Sequence, residues 1–414
     1  MSDMDLAKYI EELELNATGF DSKITQIGSM VTQSISEPEI RVVLRSKTAK
    51  LQNLIIPASD DIQYLRLFRG VLLIIRNLVI ETNDFEIETI ATSLEQFQRV
   101  VPSSNEMYTK TVIVYYQIFA NISQTKQPQC IHTLTKIMKF NDNTEHPVLV
   151  TLSNLFKNDQ NIYDMLYNDY GIETMRHLTN FEVTEHPNEI ERLYLEIWEK
   201  VVAHESFSKW IVKHDDEKVL KICQIVITSK DNWNNSQLLG ILSWLFEMFK
   251  FLNGVAVASL NNKDLDSLGA VHPKLLMVLD CVSELSKFNI AKDFLINYEM
   301  VNLLIPLLRV VHESIEPKNM MKNKNQIIEF PHIKSIIIEI LSYLTFENFK
   351  IQELIRELHG IEVILSSCVI DDSNPFMKER AIICLKYLLY KNAQNQEFVA
   401  SLEAKKSVDM ENSN

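Results

Sequence analysis

Apolar and polar positions along the chain repeat in one short pattern. An apolar residue, two residues of mixed type and then Leu or Ile close a strongly apolar stretch, as in Ile75-Arg76-Asn77-Leu78. The last residues of the copies are Leu78, Ile122, Leu155, Leu245, Leu285, Leu344 and Leu388, and a looser copy ends at Trp198. Most steps between them are 40 to 47 residues, with one shorter and one longer step. The pattern therefore predicts about eight repeated helical units.

The residues around these copies support the same organisation. The run Val71–Ile75 is apolar throughout, as expected of a helix buried between neighbours. Gly171 and Gly360 each follow the Leu of their copy by 16 residues and are predicted to break helices. Prolines precede the closing stretches at 147, 187, 273, 331 and 375, where their fixed φ suits a first helical turn. Because the period is that of armadillo and HEAT repeats, we predict an all-α fold, a right-handed α-solenoid of armadillo/HEAT-like repeats.

The predicted solenoid forms a single domain over residues 1–400. Its one long step contains the polar, basic segment 316–329, which we predict to be a surface insertion loop. Residues 401–414 turn polar and lose their periodicity after Leu402, so this segment is predicted to be a disordered tail.

The amino-acid composition argues against several classes of fold and function. The 414 residues include only 8 Gly and 11 Pro, too few for a fold rich in hairpins or glycine phosphate loops. A formal charge of −14 argues against nucleic acid and against an anionic membrane as the main ligand. No stretch approaches 18 uncharged apolar residues, and the N-terminus is acidic. We therefore expect a cytoplasmic protein without membrane insertion, whose five unevenly spaced cysteines are reduced core thiols.

Sequence motifs of catalysis are nearly absent. The chain has no G-x-S-x-G, no G-x-x-x-x-G-K, no G-x-G-x-x-G, no H-E-x-x-H and no C-x-x-C. We expect neither enzymatic activity nor a cofactor.

Binding to other proteins is the function that the repeats favour. In armadillo stacks the closing helices line a groove, and the residue before the closing Leu often points into it. Asn side chains at such positions can hydrogen-bond an extended peptide, and aromatic side chains supply anchor area. Packing against the adjacent repeat is the alternative at each position. The candidate groove residues are Asn77, Asn121, Asn154, Ile197, Trp244, Glu284, Tyr343 and Tyr387. The expected partner is a basic or extended protein segment, and a homo-oligomer is also compatible with the pattern.

A second candidate surface is the turn 371–376. Its acidic pair, Asp371 and Asp372, and the aromatic Phe376 could contact a partner. The alternative is a capped helix start, with Asn374 as N-cap and Pro375 at the first helical position.

The C-terminal segment from about 345 to 400 resembles the C-terminal domain of the ataxin-10 family. The residues that match are Arg356, Glu357, Gly360, Ile361, Ile364, Leu365, Cys368, Asp371, Asn374, Pro375, Phe376, Glu379, Ala381, Leu388 and Leu389. Where an aromatic residue commonly follows the Arg/Glu pair in that family, this chain has Arg380-Ala381. The resemblance implies a cytoplasmic armadillo-type scaffold without catalysis, with associations to cell survival, cytokinesis and signalling.

Some members of that family carry a name tied to copper transport, which makes copper homeostasis the alternative function. Cys130 and His132 are the only closely spaced Cys/His pair. A thiolate carrier normally presents two or more soft ligands in a short segment, so we predict no metal site. The alternative would require copper that is retained by the protein and lost when Cys130 and His132 are replaced.

Overall fold

The structure is a computed structural model that describes residues 3–16, 18–80, 85–125, 138–214, 216–315 and 330–411. Within these ranges all regular secondary structure is α-helical. The chain divides into two compact units, Met1–Val201 and Val202–Asn414. The candidate insertion loop 316–329 lies outside the described residues.

The helices of the first unit, in chain order, are α1 (Asp3–Glu12), α2 (Phe20–Ser36), α3 (Pro38–Arg45), α4 (Thr48–Leu54), α5 (Ile62–Leu78), α6 (Ile87–Val100), α7 (Tyr108–Thr125), α8 (Glu145–Leu155), α9 (Asp159–Tyr167), α10 (Asp169–Leu178) and α11 (Glu189–Val202). Four of them, α2, α5, α7 and α8, pack in series. The closing residues of the sequence pattern therefore lie on consecutive layers of one stack.

The core of the first unit is aromatic where these layers meet. Phe68 of α5 stacks on Phe97 of α6 with a centroid separation of 6.0 Å, and Tyr115 of α7 lies against both rings. The predicted all-round burial of Val71–Ile75 is nearly complete, since only Leu73 is half-buried. Burying a Leu, Ile or Phe side chain contributes about 1.5–3 kcal/mol, so such layers supply most of the stability of a stack.

The helices of the second unit are α12 (Phe207–His214), α13 (Glu217–Thr228), α14 (Asn235–Asn262), α15 (Leu265–Leu285), α16 (Asn289–Asn297), α17 (Met300–Ser314), α18 (Ile333–Thr345), α19 (Phe349–Glu357), α20 (Gly360–Ser366), α21 (Met377–Leu389) and α22 (Ala393–Glu411). Here α13, α15, α18 and α21 pack in series. The last of them, α21, lies within the segment 345–400 that the sequence singles out.

Local sequence explains where several helices begin. Asp61 Oδ1 accepts a hydrogen bond from Tyr64 N at 2.9 Å, which caps α5. Asn234 and Gln237 form a reciprocal capping box at the start of α14. Such caps satisfy backbone N–H groups that have no partner within the helix.

Helix α14 is the longest helix of the described chain. By length and composition it could cross a membrane, but half of that apolar window is buried inside the structure. It packs against α12, α15, α16 and α17, which is the environment of a core helix. We therefore describe it as the centre of the second unit.

The prolines and glycines that were predicted to mark helix ends differ from expectation in two details. Pro273 lies inside α15 because that helix begins eight residues earlier, after the Asp264 cap. Gly171 and Gly360 lie next to helix breaks, as predicted, but neither has a left-handed backbone. A Cβ atom at Gly171 would collide with the carbonyl group of Met165, so the glycine is required by close packing of α9 on α10.

The all-α fold of stacked armadillo/HEAT-like repeats is confirmed for the described residues. Helix α22 runs to Glu411 and so extends into the segment 401–414 that we expected to be disordered. The prediction of one continuous domain over residues 1–400 stays a prediction.

Candidate functional site

Three candidate asparagines of the first unit are used inside the stack. Asn77 Nδ2 donates to Val31 O at 3.3 Å and to Ser34 Oγ at 2.9 Å, and Asn121 Nδ2 donates to Arg76 O at 2.9 Å. Asn154 Nδ2 donates to Ala120 O at 3.2 Å. Asn77 and Asn154 are buried, and Asn121 is half-buried.

These contacts serve the preceding layer rather than a ligand. Each acceptor lies in the preceding helix of the series, which is α2 for Asn77, α5 for Asn121 and α7 for Asn154. Arg76 O in particular lies in the last turn of α5. Packing against the adjacent repeat, the alternative that we gave for every candidate, is therefore what the structure shows at these three positions.

Two other candidates are also buried. Trp244 is fully buried, its Nε1 donates to Val202 O at 3.0 Å, and the edge of its ring meets Phe207. Ile197 is fully buried as well. Neither side chain is available to a partner, because both are fully buried.

The remaining candidates share one region of the second unit. Glu284 lies on α15, Tyr343 on α18 and Tyr387 on α21, three helices that pack in series. Tyr343 and Tyr387 line an open hollow of about 370 Å³, which we call the tyrosine hollow. Its other lining residues are Lys292 of α16, Glu339, Ser342 and Phe346 from α18 and its C-terminal end, and Arg380 and Ile383 of α21.

The wall of the tyrosine hollow is aromatic and partly exposed. Phe346 meets Tyr387 edge to face, with ring centroids 4.9 Å apart. Phe346 is 48% exposed and Ile383 is 46% exposed, although both are large apolar side chains. Sequence reasoning missed these two residues, yet Ile383 lies four positions before Tyr387, on the same face of one helix.

Most charges around the tyrosine hollow are paired. Arg380 Nη2 lies 2.8 Å from Glu339 Oε2, which also accepts a hydrogen bond from Ser283 Oγ at 3.1 Å. Lys287 Nζ lies 2.6 Å from Glu284 Oε2, and this hydrogen bond raises the pKa of Lys287. Burial, followed by the negative charge of Glu339, raises the pKa of Tyr343.

Lys292 differs from these charged groups. It is half-buried, and among the described residues it makes no hydrogen bond or ion pair. The tyrosine hollow therefore combines an aromatic wall with one cation that no described carboxylate neutralises. Such a combination suits an amphipathic ligand of limited size.

The turn 371–376 corrects a second expectation. Asp371 was expected at the surface, but its carboxylate is 1% exposed and lies 3.1 Å from the equally buried Lys334 Nζ, without a well-aligned hydrogen bond. Asn374 Nδ2 donates to Asp371 Oδ2 at 2.9 Å. The physical reason is the lone lysine at the start of α18, which needs a counter-charge in its apolar surroundings.

Phe376 lies at the end of this turn and is 72% exposed, as predicted for a surface residue. Its φ of 61° lies in the left-handed region, and it is the N-cap of α21. Asn374 was considered as that N-cap, but the helix begins two residues later, at Met377. Asp372 is exposed.

The first unit has a larger and more polar hollow, of about 480 Å³, lined by residues that include Lys139, Phe140, Asp169, Arg176 and His177. The His177 ring stacks on Phe140 with a centroid separation of 3.8 Å, and its Nε2 lies 3.8 Å from Glu145 Oε1. None of the sequence candidates lines it. The tyrosine hollow is therefore the better candidate site.

The sequence predicts no metal site, with Cys130 and His132 as the ligands of the alternative. Cys130 and His132 lie outside the described residues. Within the described ranges no three His, Cys, Asp or Glu residues are grouped as a metal site would require. Cys223, Cys281 and Cys384 are buried, as predicted for core thiols, whereas Cys368 is only half-buried. Burial raises the pKa of Cys384 to about 12.

Comparison with known proteins places the tyrosine hollow in a recognised domain. Residues 333–413 match the sequence profile of a family described as "Spinocerebellar ataxia type 10 protein domain". That range contains every residue that lines the tyrosine hollow except Lys292.

Relatives match over most of the chain. An "Ataxin-10 homolog" of Debaryomyces hansenii is 40% identical over 373 residues, which cover 84% of this chain and 76% of the relative. An "Ataxin-10 homolog" of Candida albicans is 30% identical over 428 residues, covering 94% and 90%. "Ataxin-10" of Xenopus tropicalis is 39% identical over 70 residues, covering 17% and 14%.

Solved structures give a weaker likeness. One from work on "the interaction between cadherin and beta-catenin" covers 94% of this chain and 76% of that chain, at 13% identity and a TM-score of 0.43. A TM-score of 0.43 gives no information about function.

Proposed function

The chain belongs to the ataxin-10 family, and on that premise we propose that it is a non-catalytic scaffold that binds another protein through the tyrosine hollow. The proposed setting is the cytoplasm, in cell survival, cytokinesis or signalling, as the family resemblance implies. The observation that carries the proposal is that Tyr343 and Tyr387 line an open hollow and lie within residues 333–413, which match the family profile.

The properties of the tyrosine hollow support a peptide ligand. Its volume of about 370 Å³ is near the lower end of the range for small-ligand sites, so it can receive one or two side chains of a longer segment. Tyrosine is enriched among residues that dominate binding energy at protein interfaces, because its ring is large, rigid and polar at one end. Exposed Phe346 and Ile383 extend the apolar area around the two tyrosines.

Enzymatic activity and copper homeostasis are not proposed. In the described part of the chain the titratable groups that line the tyrosine hollow are one ion pair, two phenols and one ammonium. No observation among the described residues favours copper. The neighbouring groups of the tyrosine hollow suit recognition rather than bond making or bond breaking.

Site-specific crosslinking tests the proposal. A photo-crosslinking amino acid replaces Tyr387 in the full chain, expressed in the cells from which the protein comes, and irradiation precedes mass spectrometry of the adducts. We expect one partner segment to be captured at position 387. The matched control carries the crosslinker at exposed Lys221 of α13, in the same unit.

Loss of capture in a Tyr343→Ala/Ile383→Ala background would show that the partner occupies the tyrosine hollow. Equal adducts at 387 and 221, or capture that survives the double substitution, would contradict the proposal. Cell fractionation of the same tagged chain tests the proposed cytoplasmic location.

A further inference from the structure

We propose that the tyrosine hollow recognises a segment in which an apolar or aromatic side chain lies within a few residues of a carboxylate. This inference rests on the proposed function and names the chemistry of the partner. The apolar side chain would pack against Tyr343, Phe346 and Tyr387, and the carboxylate would pair with Lys292.

The charges determine the sign of the partner. Glu339 is already paired with Arg380 at 2.8 Å, and Glu284 is already paired with Lys287 at 2.6 Å. Of the charged groups that line the tyrosine hollow, only the Lys292 ammonium forms no ion pair with a described residue. A half-buried cation gains more from a carboxylate than a fully exposed one does, because water screens the attraction less.

A basic segment, our expectation from the sequence, fits this site less well. Glu339 is the carboxylate that lines the tyrosine hollow, and an incoming Lys or Arg would have to share it with Arg380. It would also meet the unpaired Lys292 across the tyrosine hollow. Like charges at short range cost binding free energy, so an acidic segment is preferred even though the whole chain carries −14.

The aromatic wall determines the rest of the partner. The phenol hydroxyls of Tyr343 and Tyr387 donate to no described group, and both side chains are half-buried. They can therefore orient a backbone carbonyl or a carboxylate while their rings hold an apolar side chain. The edge-to-face contact between Phe346 and Tyr387 makes these two rings one continuous aromatic surface.

A displayed library of random 12-residue peptides, selected against the immobilised full chain, tests the inference. We expect enrichment of peptides that place Phe, Leu or Ile within three residues of Asp or Glu. A Lys292→Glu variant should reverse the preference toward Lys and Arg. For a peptide enriched by the unmodified chain, Lys292→Gln should weaken binding about fivefold in fluorescence anisotropy, and added salt should weaken it further.

Two controls make the outcomes separable. Lys221→Glu changes the charge equally on α13 and should leave the selected peptides unchanged. Tyr343→Ala/Tyr387→Ala should abolish selection, while urea unfolding checks that the variants remain folded. Peptides that depend on the two tyrosines but show no acidic preference, or that ignore Lys292→Glu, overturn the inference and leave the proposed function standing. Absence of any peptide that depends on the tyrosines overturns both.

Discussion

The position before the closing Leu has one role at the three asparagines of the first unit and at the buried Trp244, and another at Tyr343 and Tyr387 of the second unit. In the first unit Asn77, Asn121 and Asn154 turn into the stack and donate to carbonyl groups of the preceding layer. In the second unit Tyr343 and Tyr387 stand at the edge of an open hollow, and their hydroxyls donate to no described group. A repeat position therefore defines a place in the fold, whereas the side chain and its neighbours decide whether that place stabilises the stack or faces a ligand.

A stabilising contact of the second unit, away from Tyr343 and Tyr387, is the buried pair of Lys334 and Asp371. We expect Lys334→Met to lower the free energy of unfolding by about 3–5 kcal/mol, because it leaves the Asp371 carboxylate buried without its counter-charge. Urea unfolding followed by tryptophan fluorescence measures this. Adding Asp371→Asn should recover part of the loss, and a single variant as stable as the unmodified chain would contradict the role of the pair.

Asn154→Ala should produce the next largest effect. The substitution removes donors to Ala120 O and Ser123 Oγ and an acceptor for Lys157 Nζ, so we expect a loss of about 1–3 kcal/mol. Tyr387→Phe is the matched change in the second unit and should alter stability by less than about 0.5 kcal/mol. Equal losses in the two variants, measured by urea unfolding, would remove the distinction between the units.

At alkaline pH, Tyr115 and Tyr343 should differ in their contribution to stability, and this difference should be smaller than the effects above. Tyr115 is buried and shares a hydrogen bond of 2.6 Å with Ser93 Oγ, and burial raises its pKa. Because the unfolded side chain loses its proton near pH 10 and the folded one does not, the contribution of Tyr115 to stability is complete below pH 10 and is lost as pH rises above it.

Between pH 9.5 and 11 the Tyr115→Phe variant should therefore lose about 1 kcal/mol less stability than the unmodified chain. Urea midpoints at four pH values measure this difference. Tyr343→Phe, in the open hollow, should change the pH dependence less. The opposite order would show that Tyr343, rather than Tyr115, is the more protected phenol.

The repeats could be predicted from the sequence because apolar periodicity depends on local spacing. The closing residues do lie on packed helices. The same spacing cannot show how far Asn77 is from Val31 O, since that distance depends on two helices 46 residues apart. The burial of Asp371 depends likewise on Lys334. A lone lysine beside the apolar run Ile336–Ile338 was the available signal that a buried acid should be sought.

The asparagine contacts bear on how far the segments between layers can change in length during evolution. Donor and acceptor are separated by 46 residues at Asn77, 45 at Asn121 and 34 at Asn154, yet each contact joins consecutive layers. The register of the stack is thus held by side chains and not by the number of residues between layers. Loops between layers can therefore gain or lose a dozen residues without disturbing the order of the layers, which leaves insertions and deletions free to accumulate at the surface.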